Sequence, residues 1–322
     1  MQDDSRTGNV HQLVLAYGTE RARAIAVDAE ERKLIDLASG MLTTEDSSFG
    51  ISHSAFCMTS FPHRNLKDEA AVWVRKNGRA SLMVEPGKLL ISGEPRHFGV
   101  PYGPKARLIL LYLQSRAIKT NSRFIELGGS MYDWMKRLEI PICGSNYKAM
   151  QEQAFRLSAC RLTIGWTGEA NSVGFRQENI IQGMLLLPPA EQGQPRLWND
   201  TVEITESFFD ALKKHPVPIS ERAIKMLSEA SSALDVYIWL SYRLYNLKKS
   251  ERISYNALRE QFGSEYDRLF DFKRRFQFPL KKALAVYPDA KVDIDDDGIV
   301  LHPSRPAVSA QTTVVAIGSG RR

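Results

Sequence analysis

The sequence predicts an α+β fold in which the same order of helices and strands occurs twice. Two densely apolar segments, Ala106 to Ile118 and Ala233 to Leu247, have the composition of buried helices. Each is followed by a short extended piece, a helix rich in cations, and two apolar segments with the length of strands. We therefore expect two modules of similar architecture, although sequence identity between the two halves is low.

Composition and charge fit a basic globular protein. The 322 residues are 43% hydrophobic and 25% charged, and the net charge of +6 is compatible with polyanionic partners. Cys57, Cys143 and Cys160 are too few and too far apart for a disulfide framework or a zinc site, which suits a reducing compartment. No apolar run approaches the ~18 residues of a membrane helix. Because the N-terminus is also too polar for a secretory signal, we expect a cytoplasmic protein.

The N-terminal part precedes the first module. Residues 1–28 are polar and mixed, and we expect a disordered tail there. From Glu30 to Met41 the apolar side chains fall on one face, which predicts a short amphipathic helix that ends at Gly40. Asn77-Gly78 between two apolar-rich arms predicts a β-hairpin, which Pro86-Gly87 ends and a further short strand follows.

The first module lies within the first predicted domain, residues 29–188. Its first helix begins at Pro104, a residue that the first helical turn accepts, and a long polar loop joins its last two strands. This order is that of a winged helix, a helix-turn-helix followed by a β-hairpin wing. The predicted elements are a helix from Pro104 to Ile118, a strand at Phe124 to Leu127, a helix N-capped by Ser130, a basic helix from Asn146 to Arg161, and strands at Leu162 to Trp166 and Gly183 to Leu187.

A polar, Pro-rich linker at residues 189–202 precedes the second predicted domain, residues 203–304. That domain repeats the winged-helix order, and residues 305–322 are expected to be a disordered tail. Its predicted elements are helices at Ile204 to Lys214, Ser220 to Ala230 and Ala233 to Leu247, a short strand at Arg252-Ile253, a helix capped by Ser254 that ends at Gly263, a basic helix from Ser264 to Leu284, and a hairpin of Lys291 to Ile294 with Gly298 to His302.

The segment from Phe270 to Leu284 combines five cations and one acid, Asp271, with phenylalanine and leucine at near-helical spacing. The apolar face anchors such a helix to its domain while the cationic face enters a DNA groove. A solvated amphipathic surface helix is the alternative. Pro279 leaves two outcomes open, a break in the helix or a bend that continues it. The residues expected to bind DNA here are Arg268, Lys273, Arg274, Arg275, Gln277, Lys281 and Lys282.

The first module supplies a second set of candidate DNA-binding residues. Asparagine and glutamine pair with adenine edges, and arginine and lysine pair with guanine or phosphate. Backbone N–H groups at a helix start also attract phosphate. Simple solvent exposure is the alternative for each member. The set comprises Lys105 and Arg107 at the start of the first helix, Asn146, Tyr147, Lys148, Gln151, Gln153 and Arg156 in the basic helix, and Arg176 in the polar loop.

The sequence predicts no catalytic or cofactor site. It has no phosphate-binding glycine loop followed by Lys-Ser or Lys-Thr, no paired-histidine metal motif and no nucleophile elbow. Asp293 to Ser304 mimics a calcium loop, but Ser304 replaces the bidentate glutamate and Pro303 stands where a helix should continue. Cys57 and His63 lack a residue that would orient a thiolate pair. We therefore expect a non-enzymatic protein without cofactor or metal.

Several sequence blocks resemble the RepA-type plasmid replication initiators, over roughly residues 55–305. The GVPYGPKARL block is the most specific of them. Separately, FKRR followed by Pro279 resembles the DNA-reading helix of the wider iteron-binding initiators. The blocks are SFPHRNLKDE (Ser60 to Glu69), LMVEPG (Leu82 to Gly87), GVPYGPKARLILLYLQSRAI (Gly99 to Ile118), ELGGSMYDWMKRLEIP and YKAMQEQAFRLSACRLTIGW.

The resemblance implies a plasmid-encoded protein that binds repeats, called iterons, in double-stranded DNA at its own origin. Such initiators help to melt the adjacent AT-rich DNA, recruit the host initiator and helicase, and often repress their own promoter as dimers. By position, the resemblance places Lys273 to Arg275 in the DNA-reading helix, with Lys281 and Lys282 as backbone anchors. The acidic tip at Asp295 to Asp297 departs from the pattern expected of a phosphate-gripping wing.

Two other functions remain open from the sequence. A transcriptional regulator could use the same folds without a replication role, and a protein-interaction scaffold could use winged helices to bind proteins. The cation density of both basic helices argues against the scaffold, and two linked modules favour the long DNA contact that an initiator needs. Ser60 to Arg64 either contacts DNA or fixes the predicted hairpin to the first module. That module either reads bases or mediates dimerisation.

Overall fold

The computed structural model describes residues 10–43, 48–128, 143–168, 172–185 and 200–308, together with Lys136 and residues 139–141. These residues form two compact units. The terminal unit contains the described residues before Gly50 and after Val217, and the central unit contains the residues from Gly50 to Val217. The chain passes from one unit to the other within the strands Phe49–His53 and Pro216–Ser220.

The central unit is built on antiparallel sheets. Its four-stranded sheet has the order Trp73–Asn77, Ala80–Glu85, Arg161–Thr167 and Val173–Asn179. A three-stranded sheet places Asp200–Ile204 between Phe124–Gly128 and Ile181–Leu185, and Gly87–Ile91 pairs with Glu94–Phe98. The helices are Ser54–Met58, Gly103–Thr120, Gly144–Ala159 and Glu206–Lys214.

The helix Gly103–Thr120 forms the core of the central unit and begins as predicted, with Pro104 in its first turn. It ends at Asn121, whose φ of 48° is the left-handed conformation common after a helix C-terminus. Leu108, Ile109 and Leu113 are at most 2% exposed, so the prediction of a buried helix is confirmed. Its sequence is apolar on nearly every side because surrounding elements cover it nearly all round.

The Asn77-Gly78 hairpin is confirmed, whereas the predicted wing of the first module is wrong in its second strand. Asn77 pairs with Ala80, and Gly78 takes a φ of 55° in the two-residue turn between them. The segment Val173–Asn179, expected to be loop, is a strand that pairs with Arg161–Thr167. The expected partner strand near Gly183 lies instead at Ile181–Leu185 and pairs with Asp200–Ile204. Polar residues and a glycine hide this strand in the sequence, because pairing with a neighbour rather than burial holds it in place.

The terminal unit combines N-terminal helices with the basic helix and its hairpin. The strand Gly298–Leu301 lies between Glu251–Ser254 and Val292–Ile294, which confirms the predicted second hairpin. Ser254 caps the following helix as predicted, its hydroxyl accepting from Ala257 N. The helices are Val10–Tyr17, Thr19–Ile25, Ala29–Leu42, Glu221–Met226, Ser231–Asn246, Tyr255–Phe262 and Leu269–Ala285.

The helix Leu269–Ala285 continues through Pro279. Of the two outcomes left open by the sequence, the structure therefore shows the continuous helix. Pro279 has no backbone N–H, so this turn of the helix lacks one hydrogen-bond donor. Leu280 and Ala283 next to it are fully buried, and their packing stabilises the turn.

The N-terminal helices pack onto the terminal unit, where the sequence had suggested a disordered tail. Val10, Val14, Leu34 and Ile35 share a buried cluster with Ala285 at the end of the basic helix. The imidazole Nε2 of His11 lies 2.9 Å from the Ala285 carbonyl oxygen. The expectation of a disordered tail was wrong here, although Val10, Leu13, Val14 and Tyr17 follow the i, i+3, i+4, i+7 spacing of an amphipathic helix. Only the distant partner Ala285 was not visible in the sequence.

The unit boundaries also differ from the predicted domains. The helix Glu206–Lys214 belongs to the central unit, not to the second domain that the sequence suggested. The predictions of a helix N-capped by Ser130, of most of the 189–202 linker, and of both chain tails beyond residues 10 and 308 fall outside the described residues. Among the described residues, no helix is both long and apolar enough to cross a membrane.

We predict that Ile35→Ala lowers the free energy of unfolding by about 2–5 kcal/mol, because it leaves a cavity under the N-terminal helices. Ile35 is fully buried. Leu15→Ala, on a side chain that is 71% exposed in the first helix, is the matched control and should change stability by about 0.5 kcal/mol or less. Urea denaturation followed by circular dichroism measures both, and equal midpoints for the two variants would contradict the packing described here.

Candidate nucleic-acid interface

The helix Leu269–Ala285 is held by aromatic packing along one side. Phe272 and Phe276 are 2% and 5% exposed, and their ring centroids lie 5.0 Å apart. Phe276 also stacks on Phe262 of the preceding helix at 5.4 Å. Since side chains three or four positions apart share a helix face, burial of Phe272, Phe276 and Leu280 fixes which residues point to solvent. We call this element the recognition helix, after the role that the sequence predicts for it.

Arg274 and Arg275 lie on the solvent side of the recognition helix, and both are exposed. Within the part of the chain that the structure describes, neither guanidinium forms a hydrogen bond or an ion pair. Gln277 and Lys281 are half-buried one and two turns farther along the same side. The sequence prediction of an accessible cationic face therefore agrees with the structure at these positions.

Arg268 neutralises the one acidic side chain of the recognition helix. Its Nε lies 2.7 Å from the Asp271 carboxylate, and the arginine side chain itself remains 77% exposed. The ion pair offsets the charge that would repel a phosphate at this end of the helix. Arg268 thus supports the interface electrostatically as well as adding to it.

Lys273 and Lys282 are less available than the sequence suggested. The Lys273 ammonium lies 4.9 Å from the centre of the Tyr255 ring and donates to the Asp296 carbonyl oxygen. The Lys282 ammonium lies 4.6 Å from the Phe278 ring, and together with Lys33 it lines a cavity of about 330 Å³. Burial lowers the pKa of Lys282, and the nearby charge of Lys33 lowers it further. The ammonium groups of both lysines lie over aromatic rings. Among the described residues no such contact is made by Arg274, Arg275 or Lys281, so we retain these three as the available cations.

The acidic tip of the second hairpin is satisfied internally. Asp295 Oδ1 accepts from the backbone N–H groups of Asp297 and Gly298 at 2.9 and 3.0 Å. The Arg252 guanidinium lies 2.8 Å from the Asp295 carboxylate and 3.6 Å from that of Asp297. The backbone bond from Asp297, with Gly298 and Arg252 assisting, lowers the pKa of Asp295. These contacts make the tip a closed turn with its own counter-cation.

Two arginines predicted to bind DNA in the first module are buried instead. Arg107 donates to the carbonyl oxygens of Phe61 at 2.7 Å, Gly103 at 2.8 Å and Pro62 at 3.3 Å. A guanidinium that is enclosed and bonded to main-chain carbonyls cannot also reach a phosphate. We therefore correct the assignment of Arg107 to the DNA-binding set.

Arg156 is the second buried arginine, with its side chain 4% exposed. Its guanidinium pairs with Glu69 at 2.7 Å and with Glu152 at 2.8 Å, and it donates to Asn65 at 3.2 Å. It also lies 5.2 Å from the Tyr102 ring. Gln153 is buried beside it and accepts from Tyr102 N at 2.9 Å, so neither Arg156 nor Gln153 faces solvent.

Of the two options for the segment Ser60 to Arg64, the contacts of its main chain show the structural one. The indole of Trp73, in the first hairpin, donates to the Ser60 carbonyl at 2.8 Å, while Arg107 and Gly103 N bind Phe61 and Pro62 from the helix. The main chain of this segment therefore fixes the hairpin to the helix Gly103–Thr120. Arg64 at its end is exposed.

The remaining candidates of the first module are a mixed group. Lys148 is exposed, Gln151 and Lys105 are half-buried, and the Asn146 amide donates to the Pro141 carbonyl at 2.8 Å. The Tyr147 side chain falls outside the described residues. Arg176 is 44% exposed on the edge strand, where it pairs with Glu178 and donates to the Ser207 carbonyl at 3.1 Å. The structure leaves Lys148 as the most accessible cation of the basic helix Gly144–Ala159.

Sequence reasoning missed several exposed aromatic side chains. Phe270, at the start of the recognition helix, is 69% exposed, and Trp166 and Phe175 of the Arg161–Thr167/Val173–Asn179 hairpin are 49% and 66% exposed. A helical projection of the sequence separates Phe270 from Phe272, Phe276 and Leu280, so this signal was available. No such signal existed for Phe175, because the strand that carries it was not predicted.

Comparison with known proteins shows to which family the chain belongs. Residues 100–260 match the family described as plasmid-encoded RepA protein, which is half of the chain. The chain belongs to this family. The sequence resemblance to RepA-type plasmid replication initiators is thus confirmed, and no curated protein shows significant sequence similarity to the chain.

The RepA family match covers the buried arginines and ends before the recognition helix. Among solved structures, the chain is similar to crystal structures of domains 2 and 3 of RctB. One has a TM-score of 0.48 at 12% identity, covering 78% of this chain and 95% of that chain. The other has a TM-score of 0.40 at 9% identity, covering 74% of this chain and 92% of that chain.

We predict that Arg156→Ala destabilises the RepA-family chain by about 2–3 kcal/mol, since Glu152 and several polar groups lose a buried partner. The cost is at the lower end for a buried pair because Glu69 is itself 53% exposed. Lys148→Ala, on the exposed side of the same helix, is the control and should shift stability by about 0.5 kcal/mol or less. Thermal and urea unfolding measure both, and a stable Arg156→Ala variant would contradict a structural role.

Proposed function

We propose that this protein is a plasmid replication initiator that binds repeated sites in double-stranded origin DNA, with the recognition helix in the major groove. The observation that carries this proposal is a pair of exposed arginines, Arg274 and Arg275, that have no ion pair among the described residues and lie on a helix whose opposite face packs in an aromatic core. Membership of the RepA family supports the replication role. In this role the chain is a cytoplasmic bacterial protein and a non-enzymatic one, which acts through binding free energy alone.

Each unit contains the elements of a winged helix in this proposal. In the terminal unit these are the recognition helix, the helix Tyr255–Phe262 before it, and the hairpin of Val292–Ile294 and Gly298–Leu301. In the central unit they are the helix Gly144–Ala159 and the hairpin of Arg161–Thr167 and Val173–Asn179. Because Arg156 is internal, the basic helix of the central unit keeps Lys148 as its accessible cation, which is fewer than the recognition helix of the terminal unit has.

The bases are read by the terminal unit in this scheme. Arg274 and Arg275 face guanine edges or phosphates, and Gln277 and Lys281 extend the contact along the groove. The acidic tip at Asp295 to Asp297 stays away from phosphate, because it carries three carboxylates and Arg252 pairs with only two of them. Lys148, Lys105 and Arg176 of the central unit contribute backbone contacts or a dimer surface.

Binding at the origin is proposed to serve three further steps. Occupied repeats help to open the adjacent AT-rich DNA, the bound protein recruits the host initiator and helicase, and binding at its own promoter represses its gene. A transcriptional regulator without a replication role is the alternative, because the same DNA contacts serve both functions.

We predict that Arg274→Ala and Arg275→Ala each weaken duplex binding by about 1–3 kcal/mol if they read bases. A duplex that the wild-type chain selects from random-sequence DNA is the probe, and fluorescence anisotropy at several salt concentrations is the measurement. An arginine that binds phosphate instead contributes about 0.9 to the log–log salt slope, so its loss flattens the slope by that amount. Arg32→Ala, on an exposed arginine of the N-terminal helices, is the control. Unchanged affinity and slope in both arginine variants would refute the assignment.

A plasmid maintenance assay separates the initiator from the regulator. We predict that a plasmid carrying this gene with its flanking DNA, and no other origin active in the host, is maintained with the wild-type gene and lost with Arg275→Ala. Arg32→Ala should maintain it. If the wild-type protein represses a reporter from its own promoter but never maintains the plasmid, the replication role is wrong and the regulator is the better account.

A further inference from the structure

The phenylalanines of the recognition helix differ in their exposure to solvent. Phe272 and Phe276 stack inside the terminal unit, and Phe278 packs against the N-terminal helices. Phe270 has no such cover, with 69% of its surface exposed. Its ring lies in the first turn of the helix, next to the ion pair of Arg268 and Asp271.

The position of Phe270 places it on the same side as the accessible cations. At 3.6 residues per turn, Arg274 follows it by about one turn, Gln277 by about two and Lys281 by about three. The opposite side carries Phe272 and Phe276, which are buried. An apolar ring therefore begins a stripe whose other members are polar or cationic.

A single exposed phenylalanine is ordinary on a protein surface, so exposure alone assigns no role. Here the ring sits at the N-terminal end of the helix, the part of a recognition helix that contacts base edges. The major groove offers donors, acceptors and one apolar group, the C5-methyl of thymine. A phenylalanine beside arginines that bind guanine or phosphate matches that methyl group in polarity.

We propose that Phe270 contacts the C5-methyl group of a thymine in the bound duplex and so helps to select the DNA sequence. This inference rests on the proposed function, because it requires the recognition helix to enter the major groove. It adds an apolar contact to a face that otherwise recognises hydrogen-bonding groups and charge. A protein partner or a second copy covering Phe270 is the competing account, and the experiment below distinguishes it.

The test replaces each thymine of the selected duplex in turn by deoxyuridine, which removes the methyl group and keeps the O4 acceptor. For the wild-type chain we expect one position at which affinity falls about fourfold, corresponding to ~0.8 kcal/mol for one methyl-sized group. Phe270→Ala should lose at least as much on the thymine duplex and should then be insensitive to deoxyuridine at that position. Phe270→Leu should retain part of the sensitivity.

Arg274→Ala is the matched control on the same face of the helix. It should bind more weakly overall and still lose about fourfold at the thymine position, because it leaves the ring in place. Circular dichroism and thermal unfolding confirm that Phe270→Ala is folded, which its exposed position favours.

Two results would overturn the inference while leaving the proposed function intact. One is a wild-type chain that binds the duplex with no position sensitive to the methyl group. The other is a Phe270→Ala variant that keeps full sensitivity, or that changes only self-association measured by sedimentation. Failure of Arg274→Ala and Arg275→Ala to weaken duplex binding would instead overturn the proposed function itself.

Discussion

Burial of one face of the recognition helix is the constraint on which the candidate interface depends. The apolar side chains of the helix are too many to lie on one face, so they do not by themselves determine which face is buried. The stacked rings of Phe262, Phe272 and Phe276 fix the rotation of the helix about its own axis. The N-terminal helices then cover the end near Ala285. What remains exposed is a narrow strip that begins at Phe270 and runs through Arg274. Rotation that exposed the aromatic cluster would cost about 1.5–3 kcal/mol for each large ring removed from the core.

The sequence block that carries the family resemblance most specifically is explained by packing around two buried guanidinium groups. Gly99 lies so close to Arg156 that a Cβ atom would come within 2.5 Å of its Nη1, and Gly103 has a φ of 70° at the start of the central helix. Tyr102 lies against Arg156, and Arg107 binds the main chain of Phe61 and Pro62. These residues of the block therefore have structural tasks. A family match can therefore fall on residues that build the scaffold, while Arg274 and Arg275, the residues proposed to read DNA, lie outside it.

Charge in the terminal unit is arranged so that acids and bases do not compete at the interface. Asp271 is paired with Arg268, and the acidic tip of the hairpin holds Arg252 and the ammonium of Lys273. Exposed ion pairs of this kind contribute little to stability. Their effect is to remove negative potential near the arginines and to fix the tip of the hairpin beside the helix. Of the basic residues in the FKRR sequence, Lys273 thus serves the fold, and the two arginines remain for a partner.

The sequence by itself determined the elements whose signal is local. The apolar runs, the Asn77-Gly78 turn, the Ser254 cap and the basic amphipathic helix follow from short-range propensity. The tertiary structure alone decided which cations are accessible to a partner. Arg107, Arg156 and Lys273 cannot be told from Arg274 by their sequence context. They differ from it because carbonyls, carboxylates or aromatic rings from distant parts of the chain enclose them. The tertiary structure also decided the place of the N-terminal helices and the strand Val173–Asn179. Both are held by contacts between residues far apart in the chain, and no window of the sequence contains both partners of such a contact.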